Sequence, residues 1–116
     1  YHAGNFADCH KHAVLGALIA ALHTKDSGIT FYDFFAGRGL YDLHSPEAVK
    51  TGEALDGIAK LWPHRATLPH AFQPYMSALP ADWRVYPGSP VLMQRRLRPQ
   101  DRLICNDAHP QEFHAL

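Results

Sequence analysis

The turn that follows the first aromatic run is the feature that most restricts the fold of this chain. Residues 31–43 read FYDFFAGRGLYDL, in which a short apolar segment ends at Asp33 and two glycines, Gly37 and Gly39, follow. Glycine alone adopts positive φ without strain and lets a ligand approach bare backbone. A strand that ends in an acidic residue and opens into such a turn indicates an α/β fold with a nucleotide-like ligand at the turn.

The spacing of the glycines separates two kinds of nucleotide site. The dinucleotide fingerprint G-x-G-x-x-G requires a third glycine, and this chain has Asp42 in that place. The pattern D-x-x-x-G-x-G, typical of the nucleoside-binding turn of S-adenosylmethionine-dependent methyltransferases, is filled by Asp33, Gly37 and Gly39. An ordinary strand-to-helix turn explains the same residues, so the motif alone leaves these interpretations open.

The rest of the chain alternates helical and strand patterns. We expect helices over 5–23, from an N-cap at Ser45 to about Trp62, and from about Pro90 to near Pro99, with strands over 29–35 and 101–107. Four prolines between 63 and 80 indicate short helices and loops. Asp107 ends the second strand, where it suits either a ribose-binding acid or the N-cap of a last helix through Pro110.

Length and composition narrow the class of protein. The chain has 116 residues, 47% of them hydrophobic, which fits one globular domain. The longest apolar run, 13–22, is too short to cross a bilayer, so we expect no membrane role. Cys9 and Cys105 are far apart and form no CxxC, which predicts reduced thiols in a cytoplasmic protein.

Three further clusters have a functional and a structural interpretation. The arginines of QRRLRPQDR (Arg95, Arg96, Arg98, Arg102) fit a solvated helix face better than a phosphate site. DCHKH lacks the i, i+4 spacing of a helical metal site, so no metal is expected and Cys9 is interpreted as a buried helix residue. The aromatic residues Trp62, Phe72, Tyr75 and Trp83 are expected in a core rather than on an RNA-facing surface.

The opening YHAGNFADCHKH resembles the signature x-H-A-G-N-x-A-D-x-x-K-H of the RlmJ family, bacterial methyltransferases that modify an adenine N6 of 23S ribosomal RNA. The resemblance continues through DFFAGRGLYDL, TGEALDGIAKLW, YPGSP and NDAHP. It implies a partial Rossmann-like class I methyltransferase fold with S-adenosylmethionine as cofactor. The implied divisions are 1–43 (motif helix, first strand and glycine turn), 44–83 (helical insertion) and 84–116 (continuation of the Rossmann part).

The resemblance also implies roles for single residues. His12, Ser89 and the turn glycines Gly37 and Gly39 match cofactor-binding positions, and Asp107 stands where the family carries an acid, usually glutamate, for the ribose. Lys11 matches a lysine near the substrate entrance. Tyr1 is expected to contact nucleic acid. Phe35 also falls at a cofactor-binding position, but the family often has histidine there, which leaves a backbone or stacking contact.

Two elements of the family are expected outside these 116 residues. The RNA-contacting Y-x-H element would precede Tyr1, and the catalytic D-P-P-Y motif would follow Leu116. The chain is therefore expected to hold part of the cofactor without methylating. The full-length enzyme is expected to be a monomer that acts on naked 23S RNA or an early ribosomal particle. A non-catalytic nucleic-acid-binding protein of external DNA uptake or utilisation, and a dinucleotide oxidoreductase, are the alternatives.

Overall fold

The protein has a mixed α/β fold, described by a computed structural model for residues 3–82, 84–110 and 112. The described helices are α1 (Phe6–Leu22), α2 (Pro46–Thr51), α3 (Ile58–Leu61), α4 (Gln73–Ala78) and α5 (Ser89–Arg96). The described strands are β1 (Thr30–Asp33), β2 (Leu40–Asp42), β3 (Val85–Pro87) and β4 (Arg102–Cys105). Short 3₁₀ turns cover Glu53–Asp56, Trp62–His64 and His70–Phe72.

The two strands expected from the sequence lie side by side. β1 and β4 pair in parallel, with Phe31 opposite Leu103 and Asp33 opposite Cys105. The pairing continues past the strands, because Asn106 N–H donates to Asp33 O at 2.8 Å and Ala36 N–H donates to Asn106 O at 3.1 Å. Both acid-tipped strand ends therefore meet at one edge, as parallel pairing requires.

A second pair of strands was not expected from the sequence. β2 and β3 pair antiparallel, with Tyr41 opposite Tyr86. Each has three residues, which is too few for an alternating pattern to show. The pair matters for the site, because it carries the segment that ends at Gly88 back to the glycine turn, where Gly88 N–H donates to Gly39 O at 2.5 Å.

Helix α1 confirms the first predicted helix. Asn5 is its N-cap, and the Asn5 side chain accepts a hydrogen bond from Asp8 N–H at 2.8 Å. The helix packs along α4 and α5. Gly16 allows the close approach of α4, since a Cβ at that position would lie 2.9 Å from Tyr75 N. α1 is therefore the central helix of the described fold.

The expected single helix from Ser45 to about Trp62 is wrong. The Ser45 cap with Pro46 at the first helical position is confirmed, but α2 ends at Thr51 because Gly52 adopts the left-handed conformation with φ 63°. Gly57 then interrupts the chain before α3. A Cβ on Gly57 would lie 2.1 Å from Gly4 O, so only glycine lets this segment pass the start of α1.

One hydrophobic cluster joins α1 to the segments that follow the glycine turn. Its buried members are Ala3, Cys9, Ala13, Leu43, Ile58, Tyr75, Met76, Ala78, Leu79, Tyr86 and Leu92. Trp62 and Phe72 pack against it, half-buried, so these two and Tyr75 occupy the core as expected. Trp83 lies outside the described residues. The boundaries at 43 and 83 stay predictions, because the cluster crosses both.

Apolar side chains remain exposed on the strand pair. Tyr32 and Phe34 are 59% and 61% exposed and stack on each other, with ring centroids 6.0 Å apart. Ile104 of β4 is 46% exposed. No helix within the described residues has the length and apolar character to cross a membrane.

Candidate functional site: a cleft at the start of α1

A cleft of about 300 Å³ opens between the first turns of α1, the glycine turn and the start of α5. It is lined by Ala3, Asn5, Asp8, Lys11, His12, Phe35, Ala36, Tyr41, Gly88 and Ser89. Three separate segments of the chain therefore supply its walls. Four residues singled out from the sequence, Lys11, His12, Phe35 and Ser89, lie together here.

His12 forms the buried wall of the cleft. The side chain is 3% exposed, and its Nδ1 lies 2.8 Å from the Tyr86 hydroxyl. The imidazole also stacks on the Tyr86 ring at 5.7 Å between centroids. Burial lowers the pKa of His12 to about 4, although the nearby Asp8 carboxylate opposes this shift. The imidazole is therefore neutral at physiological pH and can accept or donate a hydrogen bond without carrying charge.

Ser89 and Asp33 form a short hydrogen bond beside the cleft. Ser89 Oγ donates to Asp33 Oδ2 at 2.5 Å, and Phe35 N–H donates to Asp33 Oδ1 at 3.2 Å. Asp33 is thus the anchor that joins the end of β1 to the first residue of α5. Both side chains are half-buried, so the pair combines a carboxylate with a hydroxyl at the base of the glycine turn.

Phe35 and Lys11 stand at the outer rim. Phe35 is 90% exposed, which leaves its ring available for stacking. Lys11 is 65% exposed in its side chain, and its Nζ lies 3.2 Å from Asp8 Oδ1. Asp8 also accepts a hydrogen bond from Gly4 N–H at 3.1 Å. The rim therefore offers an aromatic face and an ammonium group near a carboxylate.

The structure does not bring every predicted residue into this cleft. Gly37 and Gly39 have φ of 70° and 86°, as the turn requires, but neither lines the cleft. Asp107 binds the turn directly, since its Oδ2 accepts from Gly37 N–H at 2.9 Å and its Oδ1 accepts from His109 N–H at 2.8 Å. These bonds hold the pKa of Asp107 below its usual value.

Asp107 therefore anchors the glycine turn, and the two interpretations from the sequence, a ribose-binding acid and the N-cap of a last helix, both stay predictions. Most of the last helix expected after Asp107 falls outside the described residues. Tyr1 also lies outside them. Gly39 faces a second groove of about 520 Å³ on the other side of the turn, between α5 and β4.

Two of the clustered arginines are engaged within the protein. Arg98 binds Asp101 through Nε at 3.0 Å and donates to the carbonyl oxygens of Lys25 and Ser27. Arg95 donates to Ala78 O. Arg95 is nevertheless exposed on α5, as a solvated helix face requires, whereas Arg98 lies after the end of α5 with its side chain 21% exposed, so the expectation is wrong for Arg98. Across residues 3–82, 84–110 and 112, no group of three or more His, Cys, Asp or Glu side chains could hold a metal ion.

Comparison with known proteins decides the family. A family model described as "Ribosomal RNA large subunit methyltransferase D, RlmJ" matches residues 26–116. The chain belongs to the RlmJ family.

Individual members of the RlmJ family agree over the whole chain. Ribosomal RNA large subunit methyltransferase J of Escherichia coli K12 is 38% identical over 121 residues, and that of Haemophilus influenzae Rd is 36% identical over 122. A crystal structure of a Legionella pneumophila protein superposes with a TM-score of 0.89 at 38% identity over 99% of the chain. The chain spans 43% of the length of each of these three proteins.

Sequence reasoning missed three contributors to the cleft region of this RlmJ-family chain. Tyr86 touches His12 from 74 residues away, and Tyr41 reaches the cleft from β2. Asp33 was assigned to the turn motif without its bond to Ser89. Tyr86 is itself the tyrosine of the YPGSP motif, which was the available signal, but no spacing rule links that tyrosine to a histidine on α1.

Proposed function

We propose that this chain is the cofactor-binding N-terminal part of an S-adenosylmethionine-dependent methyltransferase that methylates adenine N6 in 23S ribosomal RNA. One observation carries the proposal: His12, Phe35 and Ser89, from three separate segments, line one cleft in a chain of the RlmJ family. By the same proposal, residues 1–43 and 84–116 belong to a Rossmann-like part, and 44–83 form a helical insertion.

The residues of the cleft suit the chemistry of S-adenosylmethionine. The cofactor supplies an electrophilic methyl group on sulfonium and also bears an ammonium, a carboxylate and ribose hydroxyls. His12 and the Ser89–Asp33 pair offer hydrogen-bonding atoms in a partly dry site, and the exposed ring of Phe35 can stack. Asp107 would bind the ribose with the carboxylate lone pairs that its bonds to Gly37 and His109 leave free.

The nucleic-acid side of the proposal concerns Lys11 and Tyr1. The Lys11 ammonium lies at the outer rim, where it can meet a phosphate while the target base approaches the cleft. A flipped adenine would need further groups to hold its amino nitrogen in line with the methyl group. We assign these to a D-P-P-Y motif in the remainder of the full-length protein, so the 116-residue chain alone is expected to be inactive.

The decisive experiment uses the full-length protein that contains this chain. Calorimetry with S-adenosylhomocysteine and with NAD is expected to show binding of the first only. Labelled S-adenosylmethionine should then transfer methyl to 23S RNA that lacks the modification, as naked RNA or as an early particle, and not to DNA. Binding of NAD would favour an oxidoreductase, and DNA binding without any methyl transfer would favour the DNA-utilisation role.

A variant connects this activity to the cleft. Ser89→Ala removes the hydroxyl that binds Asp33 and is expected to weaken S-adenosylhomocysteine binding by up to about tenfold, the value of one hydrogen bond. Ser77→Ala, at an exposed helix position whose hydroxyl bonds to Pro74 O, is the matched control. Equal binding by the wild type and Ser89→Ala would remove Ser89 from the site. We expect the full-length enzyme to behave as a cytoplasmic monomer.

A further inference from the structure

Three aromatic side chains form a hydrogen-bonded line behind the cleft. His12 Nδ1 lies 2.8 Å from Tyr86 Oη, and Tyr86 Oη lies 2.8 Å from Tyr75 Oη. All three side chains are buried, and the two tyrosines are among the largest fully buried side chains in the described part of the chain. The line thus runs from the cleft wall, which contains His12, into the core.

The neutral forms of the three groups define how many protons the line contains. Burial raises the pKa of both tyrosine hydroxyls, and it lowers the pKa of His12 to about 4, so all three groups are neutral at physiological pH. Each hydroxyl therefore carries one proton. The imidazole also carries one, on Nδ1 or on Nε2, and its hydrogen-bond partners decide which.

The inner end of the line sets its direction. Within the described residues, the hydrogen bond of the Tyr75 hydroxyl is to Tyr86 Oη, so the Tyr75 proton has an acceptor only if Tyr75 donates to Tyr86. The reverse direction would leave a hydroxyl proton without an acceptor inside the core, which burial makes costly. The Tyr86 proton is then directed to His12 Nδ1, which accepts it. The imidazole proton is therefore on Nε2.

The Nε2 atom of His12 is directed to the cleft. Within the described part of the chain it has no hydrogen-bond partner, yet it is not fully buried, because the fully buried side-chain atom without a partner is His23 Nε2. His12 lines the cleft wall, so the small exposed surface of Nε2 opens into the cleft. A ligand in the cleft can therefore reach this nitrogen.

We propose that Tyr75 and Tyr86 are positioning residues that hold His12 as the Nε2–H tautomer, so that the cleft presents an N–H donor. The ligand group that meets His12 is then a hydrogen-bond acceptor, such as a carboxylate or a hydroxyl oxygen, and an ammonium is rejected there. The identity of the ligand rests on the proposed function, whereas the tautomer does not. If the ligand is S-adenosylmethionine, its carboxylate or a ribose oxygen faces His12, and its ammonium lies elsewhere.

Nitrogen NMR of the full-length protein, labelled with ¹⁵N-histidine, tests the tautomer without any ligand. The His12 signals, assigned by their loss in His12→Asn, should show a pyrrole-type shift at Nε2 and a pyridine-type shift at Nδ1 at neutral pH. The opposite assignment in the wild type would overturn the proposal. This result is independent of whether the protein binds S-adenosylhomocysteine, so failure of the proposed function is recognised separately.

The variant Tyr75→Phe tests the inner end of the line. It removes the proton that Tyr75 donates, so Tyr86 Oη is free to accept from Nδ1–H, and a measurable fraction of that tautomer should appear. Phenylalanine keeps the ring, whose centroid lies 6.3 Å from that of His12, so the change acts through the hydroxyl. Tyr32→Phe, at an exposed side chain, is the matched control and should leave the spectrum unchanged. A wild-type spectrum in Tyr75→Phe would exclude Tyr75 from the positioning role.

The variant Tyr86→Phe tests the contact with His12 and serves alone if Tyr75→Phe fails to fold. It keeps the ring that stacks on His12 but removes the donor to Nδ1. The Nδ1 signal should move to the shift of a nitrogen that accepts no hydrogen bond, and S-adenosylhomocysteine should bind up to about tenfold more weakly. Unchanged affinity together with an unchanged His12 spectrum would exclude a positioning role for Tyr86.

Addition of S-adenosylhomocysteine to the wild type tests which kind of group meets His12. Nε2 should keep its pyrrole-type shift, and its proton should exchange more slowly with water because the ligand accepts it. Conversion to the Nδ1–H form on binding would mean that the ligand donates to His12, and it would overturn the acceptor assignment. Wild-type protein that shows the Nε2–H tautomer but no binding would retain the tautomer and reject the proposed ligand.

Discussion

The cluster behind His12 and the parallel pair β1–β4 differ in how fully their side chains are covered. Around His12, the tyrosines and Cys9 are buried, and the tyrosines and His12 form a hydrogen-bonded line. On the strand pair, Tyr32, Phe34 and Ile104 remain exposed, although parallel sheets are normally covered on both faces. The side chains around His12 are therefore buried by contacts within this chain. Asp107, by contrast, lies next to a strand pair whose apolar side chains are exposed.

The largest expected effect comes from a matched pair of isoleucines, one in each region. Ile58→Ala, at a side chain with no exposed area, should lower the free energy of unfolding of the full-length protein by about 4 kcal/mol through lost burial and a cavity. In the 116-residue chain, Ile104→Ala should cost less than about 1 kcal/mol because that side chain is 46% exposed.

Chemical denaturation of both variants in both lengths of protein makes the comparison. A much larger cost of Ile104→Ala in the full-length protein would show that the remainder of the protein covers β4. If Ile58→Ala cost no more than Ile104→Ala in the short chain, the distinction between the two regions would be lost.

The second effect is a dependence of stability on pH in the region around His12. The pKa of His12 falls from 6.5 to about 4 on folding because the imidazole is buried, so the unfolded chain binds a proton first as the pH falls. The stability supplied by this group is complete above pH 6.5 and declines between pH 6.5 and 4, by up to about 3 kcal/mol.

The variant His12→Asn isolates this contribution, because asparagine cannot be protonated but can still form a hydrogen bond with Tyr86. Its unfolding free energy, measured from pH 7 to pH 4, should decline less steeply than that of the wild type. The charged groups that act on His12 are Asp8, Lys11 and Asp33, and they remain in both proteins. Parallel curves for the two proteins would show that His12 accepts a proton in the folded state as readily as when unfolded.

The smallest effect is expected at the rim of the strand pair, where Arg38 binds Glu112. Arg38 Nη2 lies 2.8 Å from Glu112 Oε1, with 42% and 23% of the two side chains exposed. Because solvent screens such pairs, Glu112→Gln should lower the free energy of unfolding, measured by urea denaturation, by less than about 1 kcal/mol, and by less at high salt. A cost that exceeds the effect of His12 protonation would mean that the exposed region is held more firmly than its burial indicates.

The elements predicted best were those whose signals are local. The helix that begins near Asn5, the Ser45 cap, the left-handed glycines of the turn and the two acid-tipped strands all follow from residue type and short spacing. The helix expected up to Trp62 failed at Gly52 and Gly57. Gly57 is needed for the approach of Gly4, a contact between residues 53 positions apart that no local pattern contains.

The sequence by itself determined the family and the chemical types of the residues at the cleft, because contiguous motifs around His12, Gly37 and Ser89 record them. Only the tertiary structure decided that Tyr86 and Tyr75 stand behind His12, that Ser89 binds Asp33, and that Asp107 closes the turn. These contacts join residues from 11 to 74 positions apart. They arise where packed elements bring buried polar groups together, and burial then requires each group to find a partner.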